Sequence, residues 1–235
     1  MNEIKKWSLQ KKAQAAVDKL NSRKFDAHNA DNAQEALKLV EEMLPKGAEI
    51  AVGGSVTLQE TGILDLIKSE KYKFIDRFNN KSWEEELHKY RLGFLSDYFV
   101  SSTNAITMDG QLVNIDCTGN RTGCIAFGPK RVIIVAGANK IVKDIAEGIE
   151  RAKSVAPMNS KRIHHGNPCD ETCECCDCTG EMRVCNIISI VDGCYKFQGR
   201  ISVIVVAEEL GFFLYVHMGI WYFVCQVPIF FEKLT

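Results

Sequence analysis

Arg131-Val-Ile-Ile-Val-Ala136 opens on one charge and continues as an unbroken apolar run, with four of its six residues β-branched. A strand with one wet face alternates apolar and polar residues, whereas a continuous run marks a strand covered on both faces. The flanks supply the covers. Gly128-Pro129 closes a predicted short helix over 121–127, and Gly137 to Asn139 turns into a second predicted helix through Ile141, Ile145, Ile149 and Ala152. The same order recurs upstream: an apolar run over 48–52, the turn Gly53-Gly54-Ser55, then a helix over 56–67. Strands alternating with helices predict an α/β domain, a mostly parallel sheet with helices on both faces.

Working outward, Leu9, Ala13, Ala16, Val17 and Leu20 recur at helical spacing and predict an N-terminal helical segment within 1–30. Asp31 is the expected cap of a second helix striped by Ala36, Leu37, Val40 and Leu44. Ser82 is expected to cap a helix through Trp83, Leu87 and Tyr90. Residues 187–191 and 201–206 read as a strand pair. The α/β domain is placed at 31–211, followed by an apolar tail at 212–235. From Leu210 to Phe231 that end carries no Lys, Arg, Asp or Glu. A span needs about 20 such residues, but His217, Gly219, Gln226 and Pro228 and the lack of a basic flank weigh against a membrane segment. A buried hairpin, a contact between copies or a non-native extension are the readings left for it.

The candidate site lies in Thr103-Asn-Ala-Ile-Thr-Met-Asp-Gly-Gln-Leu-Val-Asn-Ile-Asp-Cys-Thr-Gly-Asn-Arg121. Asp109-Gly110 is a tight-turn dipeptide, expected to join strands at 98–101 and 112–115. The second strand then delivers Asn114, Asp116, Thr118, Gly119, Asn120 and Arg121 into a polar glycine loop, the kind of strand end at which α/β proteins place ligands. Its counterpart is Gly53-Gly54-Ser55 with Thr57. Two glycines admit a ligand close to the backbone, and the first unpaired amides of the following helix suit phosphate or carboxylate. The pattern is neither a dinucleotide fingerprint nor a P-loop, and a tight turn capped by Ser55 explains it equally. A small anion or phosphate-bearing cofactor held between the two loops is the expectation.

Composition narrows the partners. Among 235 residues, 29 basic and 30 acidic side chains leave a formal charge of -1, so no nucleic-acid footprint follows. The opening Met1-Asn-Glu-Ile-Lys-Lys-Trp7 lacks an apolar signal core, which predicts a cytoplasmic protein. There the ten cysteines read as metal or redox groups before disulfides.

Ala51-Val-Gly-Gly-Ser-Val-Thr-Leu-Gln-Glu60, Ser102-Thr-Asn-Ala-Ile-Thr107, Asp109-Gly-Gln-Leu-Val-Asn-Ile-Asp116, Thr118-Gly-Asn-Arg121 and Phe127-Gly-Pro-Lys-Arg-Val-Ile-Ile-Val-Ala-Gly137 occur in order. Together they resemble the lactate-utilisation domain family, from about Ala13 to Gly211. The resemblance implies a fold similar to ribose-5-phosphate isomerase and coenzyme A transferases. It also implies a link to oxidation of L-lactate to pyruvate beside iron–sulfur partner subunits. The isomerases that this fold resembles carry a Gly-Ala-Asp triplet where this chain has Ser102-Thr-Asn-Ala105. Asn104 is an amide and neither gives nor takes a proton near neutral pH, so it is expected to bind rather than catalyse. Asp116 and Glu60 remain as candidates for proton transfer, and both could instead hold a backbone amide or a ligand hydroxyl.

Cys169, Cys173, Cys175, Cys176, Cys178 and Cys185 crowd one loop within 164–186, with two overlapping C-x-x-C pairs. Such spacing lets thiolates share an ion, and soft thiolates select iron–sulfur clusters or zinc. The acidic neighbours Asp170, Glu171, Glu174, Asp177 and Glu181 make a set of uncompensated thiolates unfavourable, so a cation is expected among them. The resemblance points to Cys169, Cys178 and Cys185 as ligands, with Cys175 or Cys176 as the fourth. An iron–sulfur cluster fits the redox setting that the resemblance implies, and zinc fits the spacing equally. Three functions are compatible with these residues: a redox-associated lactate-utilisation protein, a coenzyme A or sugar-phosphate type enzyme with structural zinc, or a non-catalytic metal module that docks an iron–sulfur partner; a homo-oligomer is a separate expectation.

Overall fold

The computed structural model describes residues 2–212 and, as backbone, Val216–His217 and Ile220–Trp221. Helix α1 (Glu3–Ser22) starts where Asn2 accepts the Ile4 amide at 2.9 Å. It buries Ala13, Ala16, Val17 and Leu20, one stripe at helical spacing. The rest of the expected helical segment is not helix: β1 (Asp26–Ala30) is an edge strand of the main sheet. Helix α2 (Ala33–Met43) is capped by Asn32, whose side chain accepts the Glu35 amide at 3.0 Å, rather than by Asp31. The Glu35 carboxylate reaches back to the Asp31 amide at 2.7 Å, which is why the cap sits one residue later.

Next come β2 (Glu49–Val52), α3 (Val56–Glu60) and α4 (Ile63–Lys68). The single helix expected over 56–67 is two, because Gly62 takes a left-handed φ of 71° between them. After β3 (Lys73–Phe74) comes α5 (Trp83–Gly93), capped by Ser82 as expected. Then follow β4 (Tyr98–Ser101), β5 (Ala105–Thr107), β6 (Leu112–Asp116), α6 (Asn120–Ala126), β7 (Arg131–Gly137), β8 (Ile141–Val142), α7 (Ile145–Arg162), α8 (Cys169–Thr172), β9 (Ile187–Val191) and β10 (Ile201–Val206), with β11 (Val216–His217) and β12 (Ile220–Trp221) at the end.

Six strands form an all-parallel sheet in the order β1-β10-β7-β4-β2-β3. Val132, Ile134 and Ala136 of β7 join the core beneath α1, while Ile133 and Val135 join the core beneath α2, α3 and α4. The alternation of side chains along a strand, with both faces covered, accounts for the unbroken apolar run. A second sheet, β8-β5-β6-β9, lies under α7, with Ala105, Val113 and Val142 packed against Ile149.

Three strand assignments differ from expectation. The strand before the Asp109-Gly110 turn is β5; β4 belongs to the parallel sheet between β2 and β7. The polar residues 102–104 divide what reads as one β-rich stretch. Ile141 lies on β8 rather than on a helix, since α7 begins only after Asp144, whose side chain accepts the Glu147 amide at 3.0 Å. Finally, β9 and β10 do not pair with each other. Fully buried β10 sits between β1 and β7, and β9, partly exposed, runs antiparallel to β6. Most of the apolar tail, with Cys225, lies outside the described residues. Among those described, no helix is long and apolar enough to cross a membrane.

Candidate functional site

The carboxyl ends of β2, β4 and β7 open at one edge of the parallel sheet, the edge where α/β folds bind ligands. β2 runs into Gly53-Gly54-Ser55, β4 into residues 102–104, and β7 into one tight turn ending at Lys140. With the start of α6 they wall a cavity of about 600 Å³ that Gly54, Ser55, Thr57, Asn104, Asp116, Asn120 and Arg121 help to line. The two glycine loops therefore face a common space. Of the other expected binding residues, Gly53 and Gly119 shape the wall from behind, and Asn114 does not line it. A Cβ on Gly53 would stand 2.3 Å from Ser101 Oγ and 3.2 Å from Arg121 Cδ, so only glycine lets β2 pass there. Gly119 starts α6 at a φ of 85°, which a side chain would strain.

Arg121 ties the wall together. Its guanidinium donates to Asn104 Oδ1 at 2.7 Å, Ile115 O at 2.6 Å and Ser102 O at 3.2 Å. Asn104 Oδ1 also accepts the Ile115 amide at 3.0 Å, so this amide bridges the two loops. Asp116 accepts the amides of Cys117, Arg121 and Thr122, each at 2.9 Å, and thereby caps α6, whose own cap residue Gly119 has no side chain to do so. Glu60 is exposed and accepts the Gly211 amide at 2.5 Å. Both candidate carboxylates thus hold backbone. Asn114 is buried on β6 with both amide atoms unpartnered, opposite Ser189, whose hydroxyl is also unpartnered.

Four basic side chains belong to the site although sequence reasoning passed over them. Lys140 is buried, and its Nζ donates to Thr57 Oγ1 at 2.7 Å and Ser102 Oγ at 2.8 Å. Burial lowers its pKa well below the ordinary lysine value, Arg151 and Arg121 push the same way, and Glu60 opposes them. Arg151 donates to Asn104 O at 2.6 Å and Phe212 O at 2.8 Å, and burial brings its pKa down to about 10. Arg77 and Arg162 converge over Gly54: a Cβ there would lie 3.2 Å from Arg77 Nη1 and 3.6 Å from Arg162 Nη2. Arg77 has Glu86 at 3.4 Å and Tyr90 Oη at 2.5 Å, while Arg162 donates to the neutral Asn159 Oδ1 at 2.7 Å. One signal was readable: Lys140 is the only charge between residues 132 and 142. The arginines carried none, being spread along polar helices and loops.

The thiol loop is built differently. Cys169 is buried, Cys175 and Cys176 are exposed, and Cys178 and Cys185 are half-buried. Burial pushes the Cys169 thiol up, helped by Asp170, Cys178 and Cys176. Burial likewise pushes Cys185 up to about 11, with Cys175, Cys169 and Cys178 adding to it and Arg183 opposing. The five cysteines expected as ligands are therefore within electrostatic reach of one another. They are not gathered as a coordination shell, since among the described residues no three Cys, His, Asp or Glu side chains are grouped to hold a metal. Arg183 spans the loop instead, donating to Cys178 O, to Asp177 Oδ1 at 2.8 Å and to Cys185 O at 3.2 Å. His165 bonds Met182 O at 2.9 Å through Nδ1. Cys185 and His165 also line the cavity, so the loop forms part of its rim.

The family model of the LUD domain matches residues 13–206. A crystal structure of a DUF162 family protein from Deinococcus radiodurans is similar at 13% sequence identity and a TM-score of 0.47, covering 86% of this chain and 98% of that one. No curated protein matches the chain.

Proposed function

This chain belongs to the LUD domain family, and on that premise we propose that it is a lactate-utilisation protein whose cavity binds a small carboxylate or phosphate-bearing anion. The thiol loop at the rim, in this proposal, holds an iron–sulfur cluster. The charge of the cavity carries the reading. Arg77, Arg121 and Arg162 line it, and among the described residues Arg162 has no carboxylate within salt-bridge distance. An enclosed cation without a counter-charge costs several kcal/mol, which a bound anion offsets. Arg77 and Arg162 over Gly54 suit a bidentate oxyanion, and the hydroxyls of Ser55 and Thr57 complete the cradle.

The donor set suits a cluster by chemistry, although the loop must close for four thiolates to meet it. Cys169, Cys178 and Cys185 with Cys175 or Cys176 would hold it, and Arg183 would have to yield. The bound cluster would supply one-electron exchange beside the ligand, consistent with a role next to iron–sulfur partner subunits. The residues around the anion orient it, and the amides held by Asp116 keep the start of α6 in place. The experiment is anaerobic purification with metal and sulfide analysis, plus calorimetric titration with lactate, pyruvate and inorganic phosphate. A brown protein that binds one of these anions supports the reading. A colourless protein holding only zinc removes the redox role, and the lack of any anion binding removes the cavity's.

A further inference from the structure

We propose that Lys140 is a nucleophilic amine that captures an anionic carbonyl compound, a 2-oxo acid or a phosphorylated aldehyde, as an imine. The inference rests on the reading of the cavity as an anion site. Lys140 Nζ is enclosed between two hydroxyls, Thr57 Oγ1 at 2.7 Å and Ser102 Oγ at 2.8 Å. An uncharged amine has two hydrogens, so it satisfies both hydroxyls and keeps its lone pair. An ammonium carries a third hydrogen and a charge, and neither a third acceptor nor a carboxylate meets it among the described residues. Arg151 and Arg121 place further positive charge nearby and are held there by backbone carbonyls and Asn104. Burial beside other cations is the environment that leaves a lysine uncharged and reactive.

The nucleophile also borders the anion cavity. Lys140 lines the cavity together with the guanidiniums of Arg77, Arg121 and Arg162. These select an anion, and an amine among them can react only with an electrophilic carbon on it. In the step, the Nζ lone pair forms a bond to the carbonyl carbon and the C=O π pair moves to oxygen. A proton passes from nitrogen to that oxygen through the hydroxyl of Ser102 or Thr57, giving a carbinolamine. The C–O bond then breaks with a second proton from nitrogen, water leaves, and C=N forms. Nothing is oxidised or reduced.

The test uses the full-length protein with glyoxylate or pyruvate at neutral pH, cyanoborohydride to reduce any imine to a stable secondary amine, and peptide mapping by mass spectrometry. The expected result is at least about tenfold more adduct on Lys140 than on any other lysine, because exposed lysines with pKa values of about 10.4 are almost wholly protonated there. Saturating inorganic phosphate should suppress the Lys140 adduct and leave surface adducts unchanged. Adducts spread evenly over exposed lysines, or an unmodified Lys140, would overturn the proposal. In that second case, phosphate still binding by calorimetry shows that the anion site stands and only the amine chemistry has failed.

Discussion

At the cavity wall the functional side chains are already engaged by the fold: Arg121 by three acceptors, Asp116 by three amides, Asn104 by a donor from each side. In the loop over 164–186 the side chains of interest have few such partners, and its order comes from Arg183 and from Asn167, which donates to Ser160 Oγ and Met182 O. Both regions were nominated as binding sites from residue type alone. The wall's side chains are held by protein partners, so binding there need not include the cost of ordering them. The thiols are close but, among the described residues, not grouped as a coordination shell, so an ion must supply the energy that gathers them.

The most severe way to break this contrast is Arg121→Met. It removes the guanidinium donors from the Ser102 and Ile115 carbonyls and leaves the Asn104 amide oxygen with the Ile115 amide alone. We expect a loss of about 3–5 kcal/mol in urea unfolding together with loss of anion binding. A change below about 1 kcal/mol would mean that the wall is not preorganised by this residue.

The loop should respond to pH where the wall does not. Because the Cys185 thiol lies near 11 in the fold, it is protonated at neutral pH and must lose its proton to bind metal. Zinc affinity, measured with a competing chelator, should therefore climb about tenfold per pH unit for each proton released. Without metal the sign reverses. The unfolded thiol ionises from about 8.5, so the apo-protein should lose stability as pH rises from there toward the folded value. A flat zinc affinity between pH 6 and 8, within about twofold, would show the ligands are already thiolates.

Smaller effects sharpen the assignment of roles. Asp116→Asn removes part of the α6 cap and should cost about 1–2 kcal/mol while the anion still binds. Abolished turnover with unchanged stability would instead restore Asp116 as a proton-transfer group. Asn114→Val should raise stability by about 1 kcal/mol, since it removes two unpartnered amide atoms from a strand interior without touching the cavity. Weakened anion binding in that variant would show that Asn114 serves the site after all.

Periodicity made the central strand, the N-terminal helix and the strand–turn–helix at Gly53 legible, because each is a local pattern set by which faces are covered. Strand partnership was not. β9 and β10 look alike as apolar runs, and only the burial of both faces of β10 places it between β1 and β7. β5, three residues long, is too short to show a period. The glycine loops announced the site, but Asn114 looked as eligible as Asn104. The outcome turned on which side of the sheets each amide meets.

The residue order alone determined that strand ends would present two polar glycine loops and that six thiols would share one loop. It did so because turn chemistry and side-chain alternation act over a few residues. Only the tertiary structure decided that Arg77, Lys140 and Arg162 would meet over Gly54 and Thr57. The two arginines read locally as ordinary solvated charges, and the convergence depends on how far β3, β7 and α7 carry the chain before they end.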